Sequence, residues 1–176
     1  MKRISLALLT ILATSSVFAA DGTITINGQV TDKTCTINQS ASKDFTVTLP
    51  TVSTSVLANT GDVAGRTPFT INLTGCTAGS KVATYFEPGT TVDFKTGHLN
   101  NATGTAKNVQ VQLLGSNNLV IPVLAAGAGG TQTNSQLVDV SGTGSADLNY
   151  YAQYYATDAS VAGSVATSVK YTIVYQ

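Results

Sequence analysis

The feature that most restricts what this chain can fold into is a recurring period of two. Apolar and polar residues alternate in Phe45-Thr46-Val47-Thr48-Leu49, in Phe69-Thr70-Ile71-Asn72-Leu73, and around Val109, Val111 and Leu113. The same alternation closes the chain, where Val165, Thr167, Val169, Tyr171, Ile173 and Tyr175 share one side. A half-buried strand needs this pattern, because successive side chains point to opposite faces. Helical periodicity is nearly absent. Gly, Asn, Ser and Pro stand between the runs and supply turns. Many short strands separated by turn signals predict an all-β, antiparallel sandwich. The chain has no Trp, which excludes an antibody-type core built on a Trp and a disulfide. No repeat or linker divides it, so one domain is expected.

Further strands are expected at 82–86, 119–124 and 148–155, and Leu137-Val138-Asp139-Val140 precedes a Gly-Ser turn region. Pro50 and the Glu87-Pro88-Gly89 triplet end two of the runs. Pro122 places its run at an edge or a bulge. Gly61-Asp62 and Gly65-Arg66 read as turns. Residues 38–43, 96–107, 125–130 and 158–163 read as loops, and Val56 and Leu57 as core contacts.

The N-terminus reads as a secretory signal. Lys2 and Arg3 precede an apolar run through Leu12, and Val17-Phe18-Ala19-Ala20 offers a cleavage site after Ala19. Thr10, Thr14, Ser15 and Ser16 break the run, which is too short for a membrane helix. Removing residues 1–19 leaves 157 of the 176 residues and moves the formal charge from 0 to −2. That is enough chain for one sizeable core. A weakly acidic chain with scattered basic residues has no electrostatic footprint for nucleic acid. Cys35 and Cys76 in an exported chain read as one disulfide, with two free buried thiols as the alternative. The bond would close a loop of about 40 residues and contribute roughly 3–4 kcal/mol.

The mature chain opens on GTITINGQV, residues 22–30. Ile24, Ile26 and Val30 fall on one side, and Thr23, Thr25, Asn27 and Gln29 on the other. Gly28 stands on the apolar side, where a strand normally carries a large residue. An edge strand in the chain's own sheet satisfies this pattern. So does a strand placed in a neighbour's core.

Little in the sequence carries chemistry. The only His, His98, lies in a Gly/Asn-rich stretch and reads as a solvated loop residue. Nucleophilic catalysis needs a base beside the nucleophile, and no such pairing is visible. The acidic residues are dispersed and mostly flank turns. The Gly-rich pieces at 127–130 and 142–144 do not lead from a strand into a helix with a Lys-Ser/Thr ending, so they are not phosphate loops. Two distant Cys and one His do not make a four-ligand metal site. Tyr150, Tyr151, Tyr154 and Tyr155 could stack on a sugar, although strand tyrosines more often pack across strands. The Asn38, Asn72 and Asn101 triplets match a glycosylation pattern that is common by chance. No enzymatic activity, cofactor or metal is expected.

The opening ADGTITINGQVTDKTC, residues 20–35, resembles the N-terminus of chaperone–usher pilus subunits of the type 1 fimbrial family. TPFTINLTGC, residues 67–76, resembles the segment bearing that family's second cysteine. The end resembles it too: YYAQYYAT, then Gly163 fourteenth from the C-terminus, then YTIVYQ with its penultimate Tyr175. The likeness spans essentially the whole mature chain and is weak in the middle loops. It implies an incomplete immunoglobulin-like β-sandwich, completed by donor-strand exchange and carrying one disulfide, Cys35–Cys76. It implies a signal peptide at 1–19, an N-terminal extension holding the donor strand at 20–34, and a pilin domain at 35–176. Ile24, Ile26, Gly28 and Val30 take the donor positions, with Gly28 as a small-residue notch. Gly163, Val169, Tyr171, Ile173 and Tyr175 take the groove-edge strand met by a chaperone. The implied partners are other copies of the chain, related pilus subunits, a periplasmic chaperone and an outer-membrane usher.

The expected function is therefore a structural subunit of a bacterial surface fimbria that supports cell adhesion. It is exported through the periplasm and joined head to tail. The shaft-forming role is expected, with a minor adaptor or terminator subunit as the alternative, because the mature chain starts at the donor strand with no lectin domain before it. The alternative of another class is a secreted carbohydrate-binding module using Tyr150 or Tyr154. A secreted hydrolase is disfavoured by the single His98.

Overall fold

The computed structural model describes residues 24–30, 35–37, 43–127 and 130–176. The expected signal segment, the start of the N-terminal extension, residues 31–34, residues 38–42 of the expected loop at 38–43 and residues 128–129 of that at 125–130 lie outside the described residues. Backbone contacts divide the chain into two units, Met1–Thr31 and Asp32–Gln176. In the first, residues 24–30 carry no hydrogen-bonded strand or helix.

In the second unit the alternating runs become strands: β1 (Thr36–Ile37), β2 (Val63–Thr74), β3 (Lys81–Glu87), β4 (Leu99–Asn100), β5 (Lys107–Gly115), β6 (Val120–Ile121), β7 (Leu137–Asp139), β8 (Ala146–Val161) and β9 (Lys170–Tyr175). Two antiparallel sheets result. One has the order β1-β2-β8-β5-β4, with β6 also on β5; the other has the order β7-β3-β9. Their facing sides form the core. Ile71 and Leu73 of β2, Val82 and Phe86 of β3, Val111 and Leu113 of β5, and Leu148 and Tyr150 of β8 are buried there. The intervening residues of β2 and β8 face away and pair across strands, Thr70 with Asn149 and Asn72 with Asp147. Each alternate position thus has either core or a polar partner.

The structure corrects several local expectations. Residues 45–49 keep their alternation, with Val47 and Leu49 half-buried, but join no sheet. Periodicity marks a buried face; a strand also needs a neighbour to bond to. Gly65-Arg66 is not a turn. It is a bulge inside β2, between Ala64 and Thr67. Gly65 has φ +67°, and a Cβ there would press on the Tyr154 ring. Leu57 is buried but Val56 is exposed, because the 3₁₀ turn Thr54–Leu57 offers only one side to the core. The expected loop at 96–107 contains β4 and the buried His98, Leu99 and Ala106. The expected loop at 158–163 is mostly strand, since β8 continues to Val161.

Candidate functional site

A groove of about 970 Å³ runs along the second unit. Its floor is the apolar core, lined by Phe69, Ile71, Phe86, Val111, Leu113 and Ala152. One wall is residues 43–49, the other residues 165–171. Among the described residues, neither 45–49 nor 165–169 pairs with a strand on the groove side.

The second wall can be read atom by atom. Gln176 and Lys81 exchange both backbone bonds, at 2.8 and 2.9 Å. In an antiparallel ladder such pairs recur at every second residue. With Ala83 opposite Val174, Tyr85 opposite Thr172 and Glu87 opposite Lys170, the even-numbered residues of β9 bond to β3. The odd-numbered ones turn their N–H and C=O the other way. Towards the groove's other end the same parity holds. Ser164 and Ala166 bond to the loop at 101–106, and the Ser168 carbonyl accepts from Thr91 Oγ1 at 2.7 Å. Val165, Thr167 and Val169 therefore direct their backbone groups at the groove, and their side chains line it. Among the described residues no hydrogen bond reaches those backbone groups, and the buried Thr167 Oγ1 also lacks a partner. Unpaired backbone groups beside an apolar floor are costly to leave unfilled.

Aromatic side chains continue the floor into the core. Phe45 meets Phe69 at 6.0 Å and Tyr171 at 6.1 Å, and Tyr150 meets Phe69 at 5.6 Å and Phe86 at 5.2 Å, centroid to centroid. Two tyrosine hydroxyls tie the edge strand to other parts of the unit, one to the end of the opposite wall and one to Cys35. Tyr171 donates to the Lys43 carbonyl at 2.7 Å, and Tyr175 accepts from the Cys35 amide at 3.0 Å. Burial raises the pKa of the Tyr171 hydroxyl, and the Asp44 carboxylate adds to it. Cys35 and Cys76 form a disulfide with Cα atoms 4.4 Å apart.

The structure sorts the sequence-derived residues. Val169 and Tyr171 line the groove; Ile173 is buried in the core below its end, and Tyr175 packs against that core. Gly163 lies off the main groove, where a Cβ would collide with the Thr105–Ala106 backbone. It also lines a smaller cavity of about 510 Å³, which meets the groove at Tyr154 and Val165. Ile24 and Ile26 are each 89% exposed and Val30 is 99% exposed. A Cβ at Gly28 would meet nothing within 4 Å, and its φ lies outside the left-handed region. Nothing in the chain's own structure requires a glycine there. Val165, Thr167 and the wall at 43–49 are groove residues that sequence reasoning missed. The signal was present, since Val165 and Thr167 share the periodic face of Val169 and Tyr171.

Two other expectations change. Tyr150 is 1% exposed, so it cannot be a sugar platform. Burial also raises its hydroxyl's pKa, partly offset by the nearby Thr84 and Ser135. His98 is not solvated; it is 8% exposed, on the side of the first sheet opposite the core. A chain of hydrogen bonds crosses it. Arg66 Nε donates to Gln153 Oε1 at 2.8 Å, and Gln153 Nε2 donates to Gln112 Oε1 at 2.9 Å. Gln112 Nε2 meets His98 Nε2 at 3.0 Å, and His98 Nδ1 meets Gln110 Oε1 at 3.1 Å. Gln110 Nε2 donates to Asp93 Oδ2 at 3.1 Å and Asn100 Oδ1 at 2.9 Å. Arginine only donates and carboxylate only accepts, so the ends fix every link between them. His98 is held neutral, with its proton on Nδ1. Burial lowers its pKa, against the opposing pull of the Gln110 bond and the Asp93 charge.

Comparison with known proteins agrees with the geometry. The family described as FimA, type-1 fimbrial protein, A, matches residues 49–176. The chain is 67% identical over 159 residues to major fimbrial subunit SMF-1 of Stenotrophomonas maltophilia (strain K279a), covering 89% of this chain and 94% of that one. It is 44% identical over 179 residues to the F17 fimbrial protein of Escherichia coli, covering 97% and 96%. Its fold is similar to the P pilus rod subunit PapA, with TM-score 0.59 at 16% identity over 81% of this chain and 99% of that one. A chaperone–usher pilus subunit gives TM-score 0.55 at 19% identity, over 93% and 100%. The chain belongs to the type-1 fimbrial protein family and is a structural subunit of a bacterial surface fimbria, not an enzyme.

Proposed function

We propose that the groove is completed by residues 22–30 of a neighbouring copy, so that each subunit supplies the strand the next one lacks. The single observation that carries this reading is the match between two incomplete parts of one chain. The groove has an apolar floor, and along its wall at 165–169 the backbone groups of Val165, Thr167 and Val169 meet no partner among the described residues. The first unit carries Ile24, Ile26 and Val30, all exposed. An extended run from 24 to 30 spans about 20 Å, as does the run from 165 to 171, at roughly 3.3 Å per residue. Both runs present four positions at a period of two. Burying the three apolar side chains contributes roughly 5–8 kcal/mol before ordering costs. A strand added at an open edge also gives main-chain bonds to the odd residues from 165 onward.

Such a link joins a segment of one copy to a groove of the next. It is heterologous and does not close on itself, which makes a filament. Before assembly the open edge needs a temporary occupant. In this reading a periplasmic chaperone fills it along Val169, Tyr171, Ile173 and Tyr175, and an outer-membrane usher exchanges chaperone for subunit. The shaft-forming role fits the likeness to major fimbrial subunits. The test moves the segment. A chain starting at Asp32, with residues 20–31 attached behind Gln176 through a flexible linker, should be a cooperatively unfolding monomer. The same chain without the attachment should unfold at a clearly lower denaturant concentration. Equal stability of the two, in a denaturant titration, overturns the reading.

A further inference from the structure

We infer that Asn101 is a positioning residue for assembly, holding the open edge at 164–166 as a strand before any donor segment arrives. The inference rests on the reading that a neighbour's segment fills the groove.

β3 supports the edge strand only from Lys170 to Tyr175. Residues 164–169 extend beyond that support and have no strand beside them. A free stretch of backbone samples many conformations, and ordering it on docking costs free energy. Here the loop at 101–106 takes the place of a neighbouring strand. The Asn101 amide gives its two hydrogens to the Ala106 and Ser164 carbonyls, both at 3.0 Å. Its oxygen accepts from the Gly104 amide at 3.1 Å and the Ala166 amide at 2.8 Å. All four bonding positions of the side chain are used. One residue thus fixes both the loop and the edge.

The backbone follows the same pattern. Ala102 N donates to Ala166 O, and Ala106 N to Ser164 O, each at 3.0 Å. Ser164 N donates to Thr105 Oγ1 at 3.0 Å. The approach is so close that a Cβ on Gly104 would strike the Ser164 carbonyl, and one on Gly163 the Ala106 amide. The consequence lies on the opposite edge. With Ser164 and Ala166 turned to the loop, Val165 and Thr167 must present their N–H and C=O to the groove. The half of the wall that the sheet does not reach is thereby set in the geometry an incoming strand requires.

The experiment measures uptake of a fluorescent peptide of residues 20–34 by the full mature chain, freshly refolded at high dilution. Asn101→Ala should slow uptake at least about tenfold, the cost of ordering one or two residues on docking. The lifetime of the completed complex should stay unchanged, because the bound strand then holds the edge. Gln112→Leu, which perturbs the buried chain on the outer side of the first sheet, should take up peptide at the wild-type rate. Wild-type uptake by Asn101→Ala overturns the inference. So does a parallel loss of rate and complex lifetime, which marks a merely structural role. Should Asn101→Ala not fold, Thr105→Ala removes one exposed hydroxyl from the same clamp and should give a smaller slowing; an unchanged rate there counts against the inference. If the wild-type chain takes up no peptide at all, the groove reading itself falls.

Discussion

Two regions of the second unit treat polar groups in opposite ways. Across the outer side of the first sheet, from Arg66 to Asp93, each amide, ring nitrogen and carboxylate meets a complementary partner in one direction. Along the groove, the backbone groups of Val165, Thr167 and Val169 meet none among the described residues. The first region is complete within one chain. In the proposed assembly a neighbour's strand completes the second. Both lie over the same strands: Gln112 and Gln153 sit opposite each other on β5 and β8, and Val111, Leu113 and Ala152 face the groove beneath. The outer face is satisfied within the subunit whether or not the groove is filled. Changes in one region should therefore act on subunit stability, and changes in the other on assembly.

The largest separation should come from Gln112→Leu. The substitution leaves two buried nitrogens, on His98 and Gln153, without partners. Each such loss costs about 1–3 kcal/mol, partly offset by the added apolar contact. Denaturant unfolding of the self-complemented monomer should lose about 2–4 kcal/mol. Uptake of the 20–34 peptide at low denaturant should not change. A loss below about 0.5 kcal/mol, the range of ordinary surface changes, would mean that the outer chain holds nothing.

Gly28→Leu tests the converse. A side chain there meets nothing in the chain's own structure, so free subunit should be unaffected. In the proposed assembly Gly28 enters where the neighbour's groove leaves no room, and the extra volume there costs about 1–3 kcal/mol. The peptide carrying leucine should bind about 10–100-fold more weakly than the wild-type peptide. Equal affinity in a direct titration would remove the notch from the account and leave Ile24, Ile26 and Val30 to set the register alone.

These contrasts also mark how far the sequence could be read. The period of two is a local property, and it revealed the strands, the two sheets' inner residues and the alternating segment at 22–30. It could not say which runs find partners. Residues 45–49 alternate as cleanly as 69–73, yet one forms a groove wall and the other a central strand. That outcome depends on what lies beside them in three dimensions. His98 and Asn101 were hidden for a related reason. Both stand in a Gly-, Asn- and Thr-rich stretch with the composition of a solvated loop. Tertiary packing covers His98 and turns the loop at Asn101 into a substitute strand. The resemblance at the two ends named Val169 to Tyr175 but not Val165 or Thr167, because the signature it rests on skips from Gly163 to the final run.

The smallest effect concerns acidity. His98 is the chain's only histidine, and burial lowers its pKa in the folded state. An unfolded histidine titrates near 6.5. As the pH falls below that value the unfolded chain takes up a proton that the folded one resists, so stability declines. It is fully present above about 6.5 and is lost progressively until the folded pKa is reached, by up to about 1.4 kcal/mol per pH unit. The groups facing the ring are Gln112, Gln110, the Tyr155 ring at 4.6 Å and, through Gln110, Asp93. Asp93 does not share this window. The Lys95 amide first, and then Gln110, hold its carboxyl below the usual range, so it remains charged while His98 titrates. Protonating His98 sets its Nε2–H against the Gln112 amide hydrogens. Gln112 cannot reverse without turning its NH₂ onto that of Gln153, which Arg66 in turn holds fixed. The self-complemented monomer should thus lose stability between pH 7 and pH 5, and His98→Gln, which cannot titrate, should flatten that part of the profile. Parallel curves for the two proteins would show that the outer chain tolerates a second donor, and its direction would then not be fixed from Arg66 to Asp93.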